Sequence, residues 1–192
     1  NGNNFASINL ETKRATEDGI KAGVRISGGY FNTFIEQADL VGRYGNVDFM
    51  LAQGHAQSDG QRPNASGELN NVMGRIGLRL GEHWSVGTSF LFVDNNARDP
   101  GDNRLPRPAV APQYPFVSHR HDRWRGDLRF YYTKGEGNWL HQAGLDGDTL
   151  TNFETIGMRW KEQFSLWKGG AITAGLDSDW ISGDVKFNRV AP

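Results

Sequence analysis

His119 and His121 stand two residues apart and are followed by Asp122. In an extended chain, alternate positions put both imidazoles on one face, a spacing that can chelate a transition-metal ion. Two ligands are not a site, and the sequence names no third, so a solvated histidine pair at a loop mouth is the simpler reading. Asp94, Asp99 and Asp102, with Asn95, Asn96 and Asn103, gather oxygen donors of the kind calcium takes. The twelve-residue EF-hand pattern is absent, however, and Asn, Asp, Gly and Pro are turn formers. Arg98, Asp99, Asp102, Arg104, His119, His121 and Arg125 therefore read as residues that face a ligand from a loop or an inner wall. No catalytic residue and no cofactor is expected. The sequence holds no Ser-His-Asp order, paired glycosidase-like acids, phosphate loop or redox motif, and zero cysteines remove thiolate nucleophiles and disulfides.

The elements that must carry these residues alternate with period two. Ile20, Ala22, Val24 and Ile26 alternate with Lys21, Gly23 and Arg25, and Ile76, Leu78 and Leu80 with Arg75, Gly77 and Arg79. Trp124, Leu128, Phe130 and Tyr132 oppose Arg125, Asp127, Arg129 and Tyr131, while Ile156, Met158, Trp160 and Phe164 oppose Arg159, Lys161 and Gln163. Successive strand side chains point to opposite faces, so each run has one apolar and one polar face. The pattern predicts nine strands at 20–29, 33–44, 47–58, 69–80, 84–94, 121–133, 138–146, 152–164 and 171–182. Most are longer than the usual strand of about 5–6 residues and match the ~9–11 that cross a bilayer at a tilt. Leu78 and Leu128 should point to lipid, and Arg79 and Arg129 inward.

Connections and composition agree with a membrane barrel. Short turns fall at Gly45-Asn46, Gly81-Glu82-His83, Lys134 to Gly137 and Ser165 to Gly170. Long loops fall between them at Ser58 to Glu68 and at Asp94 to Arg120, which holds five of the seven prolines. Outer-membrane barrels have short periplasmic turns and longer external loops. That parity puts Tyr44, Trp84, Tyr131, Tyr132, Trp139, Trp160, Phe164 and Trp167 near the inner interface. Tyr30, Phe31, Phe34, Phe90, Phe92, Trp124, Phe153 and Trp180 then fall near the outer one. The 192 residues carry 25 glycines and 11% aromatics at a mean hydropathy of -0.60, a mixture suited to a polar lumen with an apolar rim. No run of apolar residues is long enough for a membrane helix. With 21 basic and 22 acidic side chains, the chain has no general attraction to nucleic acid.

Ala6-Ser7-Ile8-Asn9-Leu10-Glu11-Thr12-Lys13-Arg14-Ala15 resembles the segment that leaves the plug of a TonB-dependent outer-membrane receptor and enters its barrel. Gly29-Tyr30-Phe31-Asn32-Thr33, Ser58-Asp59-Gly60, Gly81-Glu82-His83-Trp84-Ser85 and Asp99-Pro100-Gly101 follow in the order of that family's early strands. The resemblance covers residues 4 to about 105. It implies a plug-exit segment at 1–18 and part of a transmembrane β-barrel at 19–192. It also implies uptake of a scarce ligand, such as a metal chelate, across the outer membrane of a Gram-negative cell. The implied partners are outer-membrane lipid, a plug, further barrel strands and a TonB-type energy-coupling protein that acts through an N-terminal region. Much of such a receptor is missing from this stretch: most of the plug, the coupling box, a leader peptide and more than half the strands. The chain therefore reads as a fragment whose first and last strands should stay unpaired with each other. The rival expectation is a soluble β-rich module that binds glycans or assists an enzyme.

Overall fold

A computed structural model describes residues 14–98, 114–140 and 147–189, without the side chains of residues 139, 188 and 189. It contains nine antiparallel strands in one sheet whose spatial order is the chain order. They are β1 (Gly19–Gly29), β2 (Thr33–Tyr44), β3 (Val47–Ser58), β4 (Gly67–Leu80), β5 (Trp84–Ala97), β6 (Phe116–Arg120), β7 (Trp124–Trp139), β8 (Gly147–Trp167) and β9 (Gly170–Arg189). Among the described residues β1 pairs with β2 alone and β9 with β8 alone, so the meander they form is open, as expected.

The turns follow from local chemistry. Phe31 and Asn32 both have positive φ, and the Thr33 N–H donates to the Tyr30 carbonyl at 3.2 Å. Two central residues with φ > 0 make the hairpin turn that suits the right-handed twist of its strands. Asn tolerates that region; Phe31 is held in it by the ladder on either side.

Cross-strand register fixes the two faces. One outward row runs through Leu78 and Val86, and the next through Ile76 and Thr88, then Gly74 and Phe90, then Val72 and Phe92. The Phe90 ring lies over Gly74, where a Cβ would meet it at 2.2 Å, so glycine makes room for an aromatic on the same face. Beyond Val72 and Phe92 the outward face turns polar at Asn70 and Asp94. Arg43, Asp48, Arg75, Arg79, Asp127, Arg129, Arg159, Lys161 and Asp177 share the opposite, inward face through the same registers. The expected separation of Leu78 and Leu128 from Arg79 and Arg129 is therefore present.

The outward apolar residues lie open, Val24 at 73% and Ile76 at 52%. Among the described residues, Met50 at 8% is the one buried large apolar side chain. A sandwich would cover such a face with a second layer; no second layer of described residues does so here.

Two expectations about elements are corrected. The strand expected at 121–133 is β7, which runs from Trp124 to Trp139, and the end of the stretch expected as a loop up to Arg120 is a further strand, β6. A tight turn joins the two, in which the His121 N–H donates to the Trp124 carbonyl at 2.7 Å. β6 is five residues long and follows a proline-rich stretch, which masked its alternation of Val117 and His119 with Phe116 and Ser118. Lys134 to Gly137 is no turn. Those residues continue the β7 ladder, Lys134 facing Glu154, and the Phe153 ring covers Gly135. Of the strand expected at 138–146, residues 138 and 139 belong to the end of β7, and residues 141–146 lie outside the described residues. One missed turn and one false turn cancel, which preserves the count of nine but reverses the direction of residues 124–133. Trp124 accordingly lies at the short-turn end, Tyr131 and Tyr132 lie in mid-strand, and Trp139 lies at the long-loop end.

Candidate functional site: an inward wall and a histidine cluster

The candidate residues divide between two ends of the sheet. Arg98 is exposed just past β5, with its N–H donating to the Ser66 carbonyl at 2.8 Å. His119 pairs in register with Trp84, at the opposite end of β5. β5 has 14 residues, which at ~3.3 Å each separate Arg98 from His119 by roughly 45 Å. Asp99, Asp102 and Arg104 lie outside the described residues. His119 and His121 do come together, but at the short-turn end and not beside the long loop. Arg125 joins them in height but points inward.

The inward wall encloses an open depression of about 840 Å³ between β4 and β8. Its charge is mainly positive: Arg75, Arg79, Arg120, Arg125, Arg129 and Lys161 line it, against the acids Glu82 and Asp127. Some cations are already engaged. Arg75 donates to the buried carboxylate of Asp48, which Arg14 also reaches at 3.3 Å. Arg129 Nε meets Asp127 at 2.9 Å, and Arg125 Nε donates to Gln163 Oε1 at 2.6 Å. The guanidiniums of Arg75 and Arg159 lie over the rings of Phe116 and Tyr131 at 5.3 and 5.4 Å. The segment before β1 sits on this wall too, since Arg43 donates to the Thr16 carbonyl at 2.5 Å. The wall can hold anionic or polar groups.

The histidines belong to the other face. Trp84, His119, Gly126 and Glu162 form one outward row across β5, β6, β7 and β8. His119 is 8% exposed and in contact with Glu162, Nε2 to Oε2 at 3.1 Å. The carboxylate crosses directly over Gly126, where a Cβ would lie 2.3 Å from its atoms. It also accepts the indole N–H of Trp124 at 2.7 Å and that of Trp160 at 3.2 Å. His119 is thus a buried strand residue and not a solvated loop histidine, because a ring in this row is walled by Trp84 and Trp124 at 5.0 and 4.3 Å. His121 stacks on Trp124 at 5.3 Å, and His83 lies 4.3 Å from His121.

Glu162 was not singled out in the sequence, and His83 and the indoles of Trp124 and Trp160 were read there only as turn and interface residues. Glu162 could have been: it interrupts the apolar alternation Met158, Trp160, Phe164 with a carboxylate. Among the described residues no three His, Asp or Glu side chains converge on one point as they stand.

No family model matches the sequence, and no curated protein matches it either. Among solved structures, the copper transporter OprC superposes with a TM-score of 0.81 over 92% of this chain, at 15% identity. The likeness is one of fold. The chain spans 30% of that protein's length.

Proposed function

We propose that this chain forms part of the barrel wall of an outer-membrane transport receptor of the TonB-dependent kind, which takes up a scarce metal or metal chelate. The observation that carries the reading is the pairing of an exposed apolar outward face with a charged inward face across nine continuous strands. From the Leu80–Trp84 row to the Val72–Phe92 row the apolar band spans four two-residue steps, roughly 27 Å along the strand. Tilting by ~40° shortens that to about 21 Å, close to the ~25 Å apolar belt of such barrels. The name of the structural neighbour, a copper transporter, supports a metal-bearing cargo. The positive inward wall suits an anionic chelate or an acidic surface of a plug, and Arg14 and Thr16 on that wall agree with a plug-exit segment at the start of the chain. Long loops would capture cargo from outside, and a TonB-type partner would supply the energy by pulling on the plug.

Two measurements test this. Deleting the gene should slow accumulation of a limiting metal chelate, as should dissipating the inner-membrane proton gradient in the parent strain. Unchanged uptake in both would overturn the transport reading. Recovery of the protein from the soluble fraction without detergent would overturn the barrel reading and favour the soluble module.

A further inference from the structure

His83, in the turn between β4 and β5, and His121, in the turn between β6 and β7, meet on the outward side of the short-turn rim beside His119 of β6. The imidazoles are spaced for shared coordination. A zinc-type ion binds imidazole nitrogen at ~2.0–2.1 Å, which for tetrahedral geometry puts ligand ring centres about 5 Å apart. The His83–His121 and His119–His121 ring centres are 4.3 and 5.5 Å apart.

The nitrogens are sorted as a metal site sorts them. A ligating histidine characteristically gives its second ring N–H to a carboxylate or a backbone carbonyl, which fixes the tautomer and leaves a lone pair on the other nitrogen. His119 places Nε2 on the Glu162 carboxylate at 3.1 Å, and His83 places Nδ1 on the Arg120 carbonyl at 2.9 Å. The nitrogens left over are orphaned: His119 Nδ1 and His121 Nε2 are both buried without a hydrogen-bond partner. Buried polar atoms without partners are rare and costly, and two on adjoining imidazoles have a common remedy.

We infer that His83, His119 and His121 form a binding site for a divalent transition-metal ion such as Cu²⁺ or Zn²⁺, with Glu162 and the Arg120 carbonyl orienting two of the rings. The His121 ring is tilted by 36° to His83 and 47° to His119, so the free nitrogens reach one point only after His121 turns about its side-chain torsions. His121, which stands in the β6–β7 turn with its Nε2 unpartnered, is the ring that turns, while His83 and His119 keep their contacts to the Arg120 carbonyl and Glu162. The bound ion would clip the β4–β5 turn to the β6–β7 turn. By register His119 stands on the opposite face from Arg75, Arg79 and Arg129, while His83 and His119 also border the short-turn end of the inward depression.

The test uses the full-length receptor purified in detergent. Trp84 and Trp124 lie 5.0 and 4.3 Å from His119, so bound Cu²⁺ should quench their fluorescence saturably at about one ion per chain, and Zn²⁺ should reverse the quenching by competition. His83→Ala with His121→Ala should abolish the saturable phase, while His55→Ala, at the far end of β3, should leave it intact. The electron paramagnetic resonance spectrum of Cu²⁺ on the unaltered protein should show splitting from two or three imidazole nitrogens, a readout that needs no variant to fold. Saturable quenching that survives the double substitution, or a spectrum of oxygen ligands alone, would overturn the assignment.

Discussion

Gly126 decides whether Glu162 reaches His119. With any side chain at 126, the carboxylate atoms now 2.3 Å from the Cβ position would have to move. They are the end of a flexible chain, so the strand should survive and the contact should not. Gly126→Ala should therefore separate His119 from Glu162 while leaving the ladder intact. Glu162→Ala should go further, stranding the N–H groups of His119, Trp124 and Trp160 together at a cost of about 1–3 kcal/mol. Unfolding transitions of the two variants, followed by tryptophan fluorescence, give the ranking; equal stability of Glu162→Ala and the parent would contradict it. The outward row supplies a second comparison. Ile76 sits at the middle of the apolar band, so Ile76→Arg should cost roughly 2–4 kcal/mol and depress assembly in the membrane. Leu78→Arg, one row nearer the rim, should cost less, and Arg79→Leu on the inward face should be mildest. Equal losses at Ile76 and Arg79 in a heat-modifiability assay would mean that both faces are buried, against the barrel reading. Much at this scale was legible in sequence, because alternation alone assigned Ile76, Leu78 and Arg79 to their faces. The cluster was not. A contact between residues 119 and 162 depends on the order of β6, β7 and β8 and on a glycine between them, which no local pattern encodes.

Strand existence was easier to read than strand ends. β1, β2 and β3 match their expected ranges within one residue, since each is a long clean alternation between glycine-containing turns. β6 was lost because prolines mark loops, and Pro115 stands directly before its first residue. The false turn at Lys134 to Gly137 arose from a composition that ordinarily breaks strands; here a ring from the neighbouring strand fills the space over Gly135. Tertiary packing decided the outcome where local propensity pointed the other way. The corrected order makes topology testable at two defined places. On the proposed reading, the connection between β5 and β6, residues 98–115, faces outside the cell, and the β8–β9 turn at Lys168-Gly169 faces the periplasm. Trypsin added to intact cells should cut within the first and spare Lys168, which should become sensitive only after the outer membrane is permeabilised. The reverse order of cleavage would invert the orientation.

At the scale of the whole sheet, the decisive quantity is the number of backbone groups left at the edges. β1 has 11 residues and β9 has 20, and each is paired on one side only. In a ladder about half of a strand's N–H and C=O groups face each side, so β1 alone presents on the order of ten such groups outward. Each would cost several kcal/mol if left unsatisfied in hydrocarbon. Even a fraction of that total exceeds the ~5–15 kcal/mol that stabilises a typical folded domain. β1 and β9 run in the same direction, because eight antiparallel steps separate them, so direct closure would need a parallel seam. Bacterial single-chain barrels use even strand numbers and avoid that seam. Further strands must therefore cover both edges for the sheet to sit in a bilayer. Expressed alone and refolded into detergent, residues 14–189 should not give a heat-modifiable, protease-resistant monomer, whereas a chain that includes the flanking strands should. Cysteine pairs placed across β1 and β9 should fail to form disulfides in that longer chain. Efficient crosslinking of Val24 to a position on β9 after such substitution would show a closed nine-stranded barrel and overturn the account of the sheet as one section of a larger wall.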